Sequence, residues 1–446
     1  MQKDFKGNFK SILFLGIGGV SMCQIAMAFQ DLGYNVVGYD DKMSHNVLAC
    51  QLRGIEVFNK INKSMFKVDI CVKTAAIPDE SKYVNILKRN GTKIVDRAVA
   101  LSWLCDKFKT VIAVAGTHGK TTTSALIYEI LRKSGKKVSC HIGSQIASSR
   151  FCVGDDFLVV EACEFNKSFL KLNPNICVVT NVEKEHMDCY DNIFNLRYNF
   201  IKFLKKGEKS YVFNGKTTNF LKKYKNFHFI SKTNLKINPK IKGEYNLNNI
   251  STAVAVCSDL GIEKRKIINA VNSFEGVGRR CEYLGDFNGN KIYTDYAHHP
   301  TELREFIKSF KQEHHNIQIV FQPHTYSRTK MFFNEFVDVL KNEKNVCVFK
   351  EYPAREKPFQ GKSAKDLFFK LKENKNDVFY CANLKQIEAC LNSNVTVAFV
   401  GAGDIDNIAR TMIKRGSWGF LMKLNQTIYK KRLTKVLIGG IIFSLE

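Results

Sequence analysis

The sequence predicts an α/β protein of three domains, each a mainly parallel sheet with flanking helices. Three observations predict it. A chain of 446 residues exceeds what one hydrophobic core organises. Apolar runs of strand length alternate with apolar residues at helical spacing along most of that length. Two of the strand-to-helix connections are glycine-rich, the form in which a helix N-terminus presents free backbone N–H groups to an anion.

In the first block, residues 1–108, Ser11–Leu15 is a short apolar strand, Val20–Leu32 has helical spacing with Gly33 suited to its C-cap, and Asn35–Gly38 is the next strand. The turn of this βαβ unit is Gly16-Ile17-Gly18-Gly19-Val20-Ser21, and Asp40 follows the second strand, where nucleotide-binding folds place an acid on a ribose. Serine stands where the fingerprint has its last glycine, so these residues alone read equally as a nucleotide site or a tight turn. Strands at Asp69–Val72 and Lys93–Val95 complete an open, Rossmann-like sheet.

The second block, residues 109–279, carries AVAGTHGKTTT at Ala113–Thr123, a buried strand, a glycine turn and a helix start in the order of a phosphate loop. Its spacing is Gly116-Thr117-His118-Gly119-Lys120-Thr121, with Val114 at the usual first glycine, so it is a shortened variant. In such a loop the lysine meets the outer phosphates, and the hydroxyl of Thr121, followed by Thr122, faces a magnesium ion. The strand Phe157–Val160 ends in Glu161, and Ile176–Val179 runs into Thr180-Asn181 and Glu185-His186. Parallel strands deliver their carboxyl ends to one crevice, so Glu161 reads as a magnesium ligand or a solvated loop acid, and His186 as a metal ligand or a structural histidine. Further on, Asn246 and Asn249 share a face at the start of a helix continuing through Ser251–Leu260. They either read an adenine edge or cap the helix, capping being the simpler reading.

A glycine-flanked pair, Arg279-Arg280, leads into the third block, residues 280–415, and suits either a phosphate or a solvated hinge. Strands are expected at Lys291–Thr294, Gln318–Phe321, Val346–Phe349, Val378–Tyr380 and Val395–Val400. Two of their exits are chemically dense, Asp295–Glu302 (DYAHHPTE) and Gln322–Thr329 (QPHTYSRT), as a site at the carboxyl edge of a parallel sheet would be. Residues 416–446 form a basic stretch and an apolar end, Val436–Leu445, too short to span a bilayer.

Net charge is +26, yet the lysines are scattered. The runs at 202–210 and 219–229 read as solvated edges of helices and loops, and no dedicated nucleic-acid surface is expected. Fourteen cysteines include no C-x-x-C pair and no zinc spacing. Free thiols in a reducing cytoplasm follow, and the first residues lead into a strand rather than a signal segment.

In order, GIGGVSM, GTHGKTTT, EACEF, TNVEKEHMD, GEYNLNN, GVGRR, DYAHHPTE, QPHTYSRT and GAGDIDNIAR resemble the motifs of the ATP-dependent muramyl ligases over nearly the whole chain. The resemblance implies a UDP-sugar-binding first domain, a central ATPase domain and an amino-acid-binding third domain. It implies an enzyme using ATP and Mg2+ to join L-alanine to the carboxylate of UDP-N-acetylmuramate through an acyl phosphate. By motif match Lys120 would hold the transferred phosphoryl group, with Gly116, Thr117, Gly119 and Thr122 around the phosphates. Thr121 and Glu161 would hold one magnesium and His186 a second. Asn246 and Asn249 would read adenine, Arg279 or Arg280 the γ-phosphate and Asp295 the ribose. His298 and Arg328 would face the amino acid, and Gly16, Gly18, Gly19 and Asp40 the UDP-sugar.

The chain departs from the family pattern at several points. Glu161-Ala162-Cys163-Glu164-Phe165-Asn166 stands for E-A-D-E-S-D, Tyr245 for a histidine, Ser21 for a glycine, and Thr325 where some relatives have arginine. A related muramyl-peptide ligase, a nucleotide-gated binding protein with reduced catalysis and a nucleic-acid-associated ATPase are the alternatives. Lys120→Ala is expected to remove activity while leaving the fold.

Overall fold

The computed structural model describes residues 9–143, 151–152, 154–187, 189–354, 356–357, 361–373 and 377–415. The basic and apolar stretch at 416–446 lies outside them. The described chain builds three sheets within two compact units that divide between Val277 and Gly278.

The first unit holds two all-parallel sheets. One has the spatial order Glu56–Phe58, Asn35–Tyr39, Ser11–Leu15, Ile70–Lys73, Lys93–Asp96. Its central strand buries Ile12, Leu13, Phe14 and Leu15 completely. Successive residues point to opposite faces, so an unbroken apolar run marks a strand covered on both sides. Helix Val20–Asp31 starts directly after the glycine turn and buries Met22, Ile25, Ala26 and Phe29.

The second sheet has the order His228–Ile230, Lys209–Phe213, Ile176–Val179, Thr110–Ala115, Phe157–Glu161, Val138–His141. Thr110–Ala115 lies between the two strands whose ends carry Glu161 and Thr180, with Val114 opposite Glu161 and Ala115 opposite Val179. This register sets the chemistry-bearing ends side by side. One buried cluster includes Phe14 and Phe29 of the first sheet layer with Val160, Val179 and Phe203 of the second, which joins the two layers as one unit.

The lysine-rich runs hide more structure than their composition predicts. Lys202, Lys205, Lys209, Lys222, Lys223 and Lys225 are exposed, but Phe203, Leu204, Leu221 and Phe227 between them are buried, and two strands begin there. The charges sit on the solvent side of packed elements rather than on loops alone.

In the second unit the order is Glu282–Phe287, Asn290–Asp295, Thr396–Val400, Ile317–Phe321, Val346–Phe349, Val378–Cys381. The first pair is an antiparallel hairpin turning at Asn288-Gly289, both at positive φ as a two-residue hairpin turn requires. The remaining pairs are parallel and bring the ends of Asn290–Asp295, Thr396–Val400 and Ile317–Phe321 together. Among the described residues no helix is long and apolar enough to cross a membrane.

Candidate active site

The loop between strand Thr110–Ala115 and helix Lys120–Lys133 is held by the neighbouring strand exit. Thr180 donates its hydroxyl to the His118 carbonyl at 2.6 Å, Asn181 accepts from the His118 N–H at 2.8 Å and donates to the His118 carbonyl at 3.0 Å, and the Thr117 hydroxyl accepts from the Glu183 N–H at 2.8 Å. Gly116 has φ +142° and Gly119 +78°, and a Cβ on either would collide with Thr180 or Asn249. Both positions therefore exclude other residues twice over, by backbone conformation and by space.

Lys120 curls back over the loop. Its ammonium donates to the Gly116 carbonyl at 2.5 Å, the Thr117 carbonyl at 3.1 Å and Glu164 Oε1 at 3.0 Å. Burial works against its charge, but the carboxylates of Glu164 and Glu161 outweigh that and hold its pKa above the ordinary lysine value. Glu164 is buried and its Tyr190-bonded carbonyl fixes the backbone. Burial would raise its pKa, but Lys120 and His186 overcome that and keep it low. His186 Nε2 lies 3.5 Å from Glu164 Oε1. The other oxygen, Glu164 Oε2, is buried without a hydrogen-bond partner among the described residues. An unpaired lone-pair-rich oxygen on a buried carboxylate is costly unless a cation meets it.

Beside it, Glu161 Oε2 accepts from the Thr121 hydroxyl at 3.1 Å and from the Gly143 N–H at 3.0 Å. Thr121 and Glu161 are thus brought together as the motif match implies. Cys163, where the family pattern has aspartate, is a neutral thiol, pushed up to about 11 by burial and by Glu164. Glu164 therefore carries the charge of this stretch next to Lys120. Asn249 Oδ1 accepts from Thr123 at 3.3 Å and lies against Gly119, whereas the Asn246 amide donates to the Lys242 carbonyl at 2.8 Å, a local helix-start contact. Thr122 is buried in the first turn of the loop helix.

In the glycine turn, Asp40 Oδ2 accepts from the Gly18 N–H at 2.8 Å and Asn46 donates to the Gly18 carbonyl at 2.8 Å, so Asp40 shapes the turn that Gly16 and Gly19 complete. One contact there had no sequence signal. Ser21 Oγ accepts from Arg97 at 2.7 Å and meets His141 Nε2, on a strand of the second sheet, at 2.8 Å. Burial, with the Arg97 charge, pushes His141 down to about 3, and its Nδ1 has no partner among the described residues. The native state thus keeps His141 neutral while the unfolded chain takes up a proton below its ordinary value of 6.5. Stability is fully present above that value and declines as pH falls toward the folded value, by at most about 1.4 kcal/mol per pH unit. Chemical denaturation of wild type and His141→Gln at pH 7 and pH 5 measures this. The variant is expected to show a flatter decline, and parallel declines would rule the histidine out as its source.

In the second unit, Asp295 is buried with Oδ1 accepting from the Ala297 N–H at 2.7 Å and Oδ2 from the Cys281 N–H at 2.8 Å. Burial raises its pKa to about 6. Arg279 donates to the carbonyls of Gly401 and Gly403 at 3.0 and 3.2 Å, and Arg280 lies 3.7 Å from Glu302; both guanidinium groups flank the Tyr296 ring. His298 and His324 meet ring to ring at 5.7 Å, and Arg328 reaches His324 Nδ1 at 3.0 Å. The two dense strand exits therefore converge, with His324 joining the predicted pair.

Three comparisons bear on these arrangements. Residues 11–109 match the Mur ligase family, catalytic domain, residues 114–228 the Mur ligase middle domain, and residues 279–403 the Mur ligase, glutamate ligase domain. The UDP-N-acetylmuramate--L-alanine ligase of Caldicellulosiruptor bescii is 34% identical over 451 residues, covering 90% of this chain and 98% of that protein. That of Acetivibrio thermocellus is 31% identical over 450 residues, covering 91% and 96%. The crystal structure of UDP-N-acetylmuramate-alanine ligase from Thermotoga maritima shares the fold, with a TM-score of 0.78 at 24% identity over 92% of this chain and 100% of that one. A murein peptide ligase from Psychrobacter arcticus does so at 0.66 and 16% identity over 91% and 98%.

Proposed function

This chain belongs to the Mur ligase family, as an ATP-dependent ligase that joins L-alanine to UDP-N-acetylmuramate in peptidoglycan precursor synthesis, and we propose that the phosphate loop and the strand ends beside it carry the chemistry. In the family's reaction a carboxylate oxygen of the UDP-sugar takes the γ-phosphoryl group of ATP, giving an acyl phosphate and ADP. The amine of alanine then attacks the acyl carbon, and the tetrahedral intermediate expels phosphate as the amine loses its proton. Every reacting species is anionic, so the residues needed are cations and dipoles fixed where charge develops.

Lys120, already oriented by two loop carbonyls and Glu164, turns its ammonium to the transferring phosphoryl group. Gly116, Thr117 and Gly119 keep the loop close enough for its backbone to approach the phosphates, and Thr122 sits in the turn behind them. Thr121 with Glu161 would hold one magnesium, and Glu164 with His186 a second. Magnesium bound there supplies neutralising charge to the phosphate oxygens. The orphaned Glu164 Oε2 is the observation that carries this reading.

Asn249 borders the loop from the nucleotide side and Asn246 lines the same helix. Asp295 with Arg279 and Arg280 is assigned to the nucleotide and His298 with Arg328 to the amino acid, whose carboxylate suits a guanidinium fork. The turn at Gly16, Gly18 and Gly19, shaped by Asp40, receives the UDP diphosphate. Residues 1–108, 109–279 and 280–415 then divide as UDP-sugar, ATP and amino-acid domains of a cytoplasmic enzyme with small-molecule partners.

The test is phosphate release by the purified chain with ATP, magnesium and UDP-N-acetylmuramate, comparing L-alanine, glycine, L-serine and no amino acid. Release is expected to require both the UDP-sugar and L-alanine. Release indifferent to the UDP-sugar, or stimulated by nucleic acid instead, would overturn the assignment.

A further inference from the structure

Three cysteines that the ligase chemistry does not use converge in the second unit. Cys347 and Cys381 lie on adjacent parallel strands, Val346–Phe349 and Val378–Cys381. Cys347 stands opposite Phe379 and Cys381 opposite Phe349, so the two thiols share one face of the sheet. Cys390 ends the helix Leu384–Cys390 that follows the second strand. The three sulfurs lie within 4.8 Å of one another, and Cys381 Sγ and Cys390 Sγ are 3.7 Å apart.

Those spacings match a coordination sphere. Sulfurs bound to one ion at about 2.3 Å stand roughly 4 Å apart in a trigonal or tetrahedral set. The walls are aliphatic and aromatic, with Val320, Phe349, Ile387 and Phe399 in the same buried cluster. Cys347 and Cys381 are buried while Cys390 is partly exposed, which leaves an ion a way in. Thiolates select soft cations over hard ones.

We propose that Cys347, Cys381 and Cys390 form a three-thiolate site for a soft d10 cation, Cu(I) or Zn(II). Binding converts thiols to thiolates and releases their protons, so affinity rises with pH. Three sulfurs complete a trigonal Cu(I) site, whereas Zn(II) takes a fourth ligand from solvent on the Cys390 side.

The full chain, reduced and stripped of metal without added thiols, is titrated anaerobically with Cu(I) and, separately, Zn(II) against a competing chromophoric chelator. Cysteine alkylation is mapped by mass spectrometry with and without each cation. One tight equivalent of at least one cation is expected, with protection from alkylation confined to Cys347, Cys381 and Cys390. Cys390→Ser is expected to weaken that equivalent more than about 100-fold, a larger loss than removal of an outer-shell partner brings. Cys50→Ser breaks the other close sulfur pair, Cys23 with Cys50 at 3.3 Å, and is expected to leave binding intact. No tight equivalent of either cation, protection at other cysteines, binding that survives Cys390→Ser, or protection that appears only on oxidation would overturn the site. The wild-type footprint decides the matter even if the serine variant fails to fold.

Discussion

Lys120→Ala is expected to lower the rate of phosphate release by at least about 10²–10³-fold, the loss that follows removal of one preorganised donor from a site of developing negative charge. Unlike the sequence-based expectation, it is also expected to weaken the fold. Lys120 is a buried partner of Glu164, which is 1% exposed, so truncation leaves a buried carboxylate without its ammonium. Breaking such a pair costs about 3–5 kcal/mol, less whatever Glu164 recovers by taking up a proton. The two consequences separate in the double variant Lys120→Met, Glu164→Gln. It removes both charges and keeps side-chain volume, so denaturation is expected to show stability recovered while turnover stays far below that of Glu164→Gln alone. A double variant that matches the turnover of Glu164→Gln would mean Lys120 acts through the fold alone, and wild-type turnover in the single variant would remove it from the phosphoryl site.

Much of this site was legible because its chemistry is local in sequence. Gly116, Gly119, Lys120 and Thr121 fall within six positions whose backbone and side-chain demands few alternatives meet, and Glu161 and His186 follow apolar strands that announce their own ends. What sequence could not supply was pairing across distance. Glu164 becomes the partner of Lys120 only because the strand Phe157–Glu161 lies beside Thr110–Ala115, and His141 reaches Ser21 across 120 residues. Two neighbouring strands at one side of the second sheet were hidden for another reason. Lys209–Phe213 and His228–Ile230 lie in lysine- and aromatic-rich runs whose composition resembles a solvated loop, and only packing shows which residues turn inward. The hairpin Glu282–Phe287 was legible and overlooked, since Asn288-Gly289 between alternating residues is a strong turn signal.

Glu164→Gln is expected to raise the magnesium concentration for half-maximal turnover by at least about 10- to 100-fold, the loss that removal of an outer-shell partner alone brings. The reasoning turns on the two oxygens of one side chain. Oε1 is satisfied by Lys120 and faces His186, whereas Oε2 is buried with no hydrogen-bond partner among the described residues. If the carboxylate served only to neutralise Lys120, glutamine would free a positive charge for the phosphates, strengthen ATP binding and leave the magnesium requirement unchanged. If Oε2 belongs to a cation, the amide supplies an oxygen without the charge, so turnover and metal activation fall together while the apparent KM for ATP changes little. Glu161→Gln gives the internal comparison. Its carboxylate already accepts from Thr121 and Gly143, so its loss disturbs the loop contact as well as the metal. A magnesium titration at saturating ATP in both variants distinguishes the roles. An unchanged requirement in Glu164→Gln with a raised one in Glu161→Gln would confine the cation to Thr121 and Glu161 and leave Glu164 as the counter-charge of Lys120.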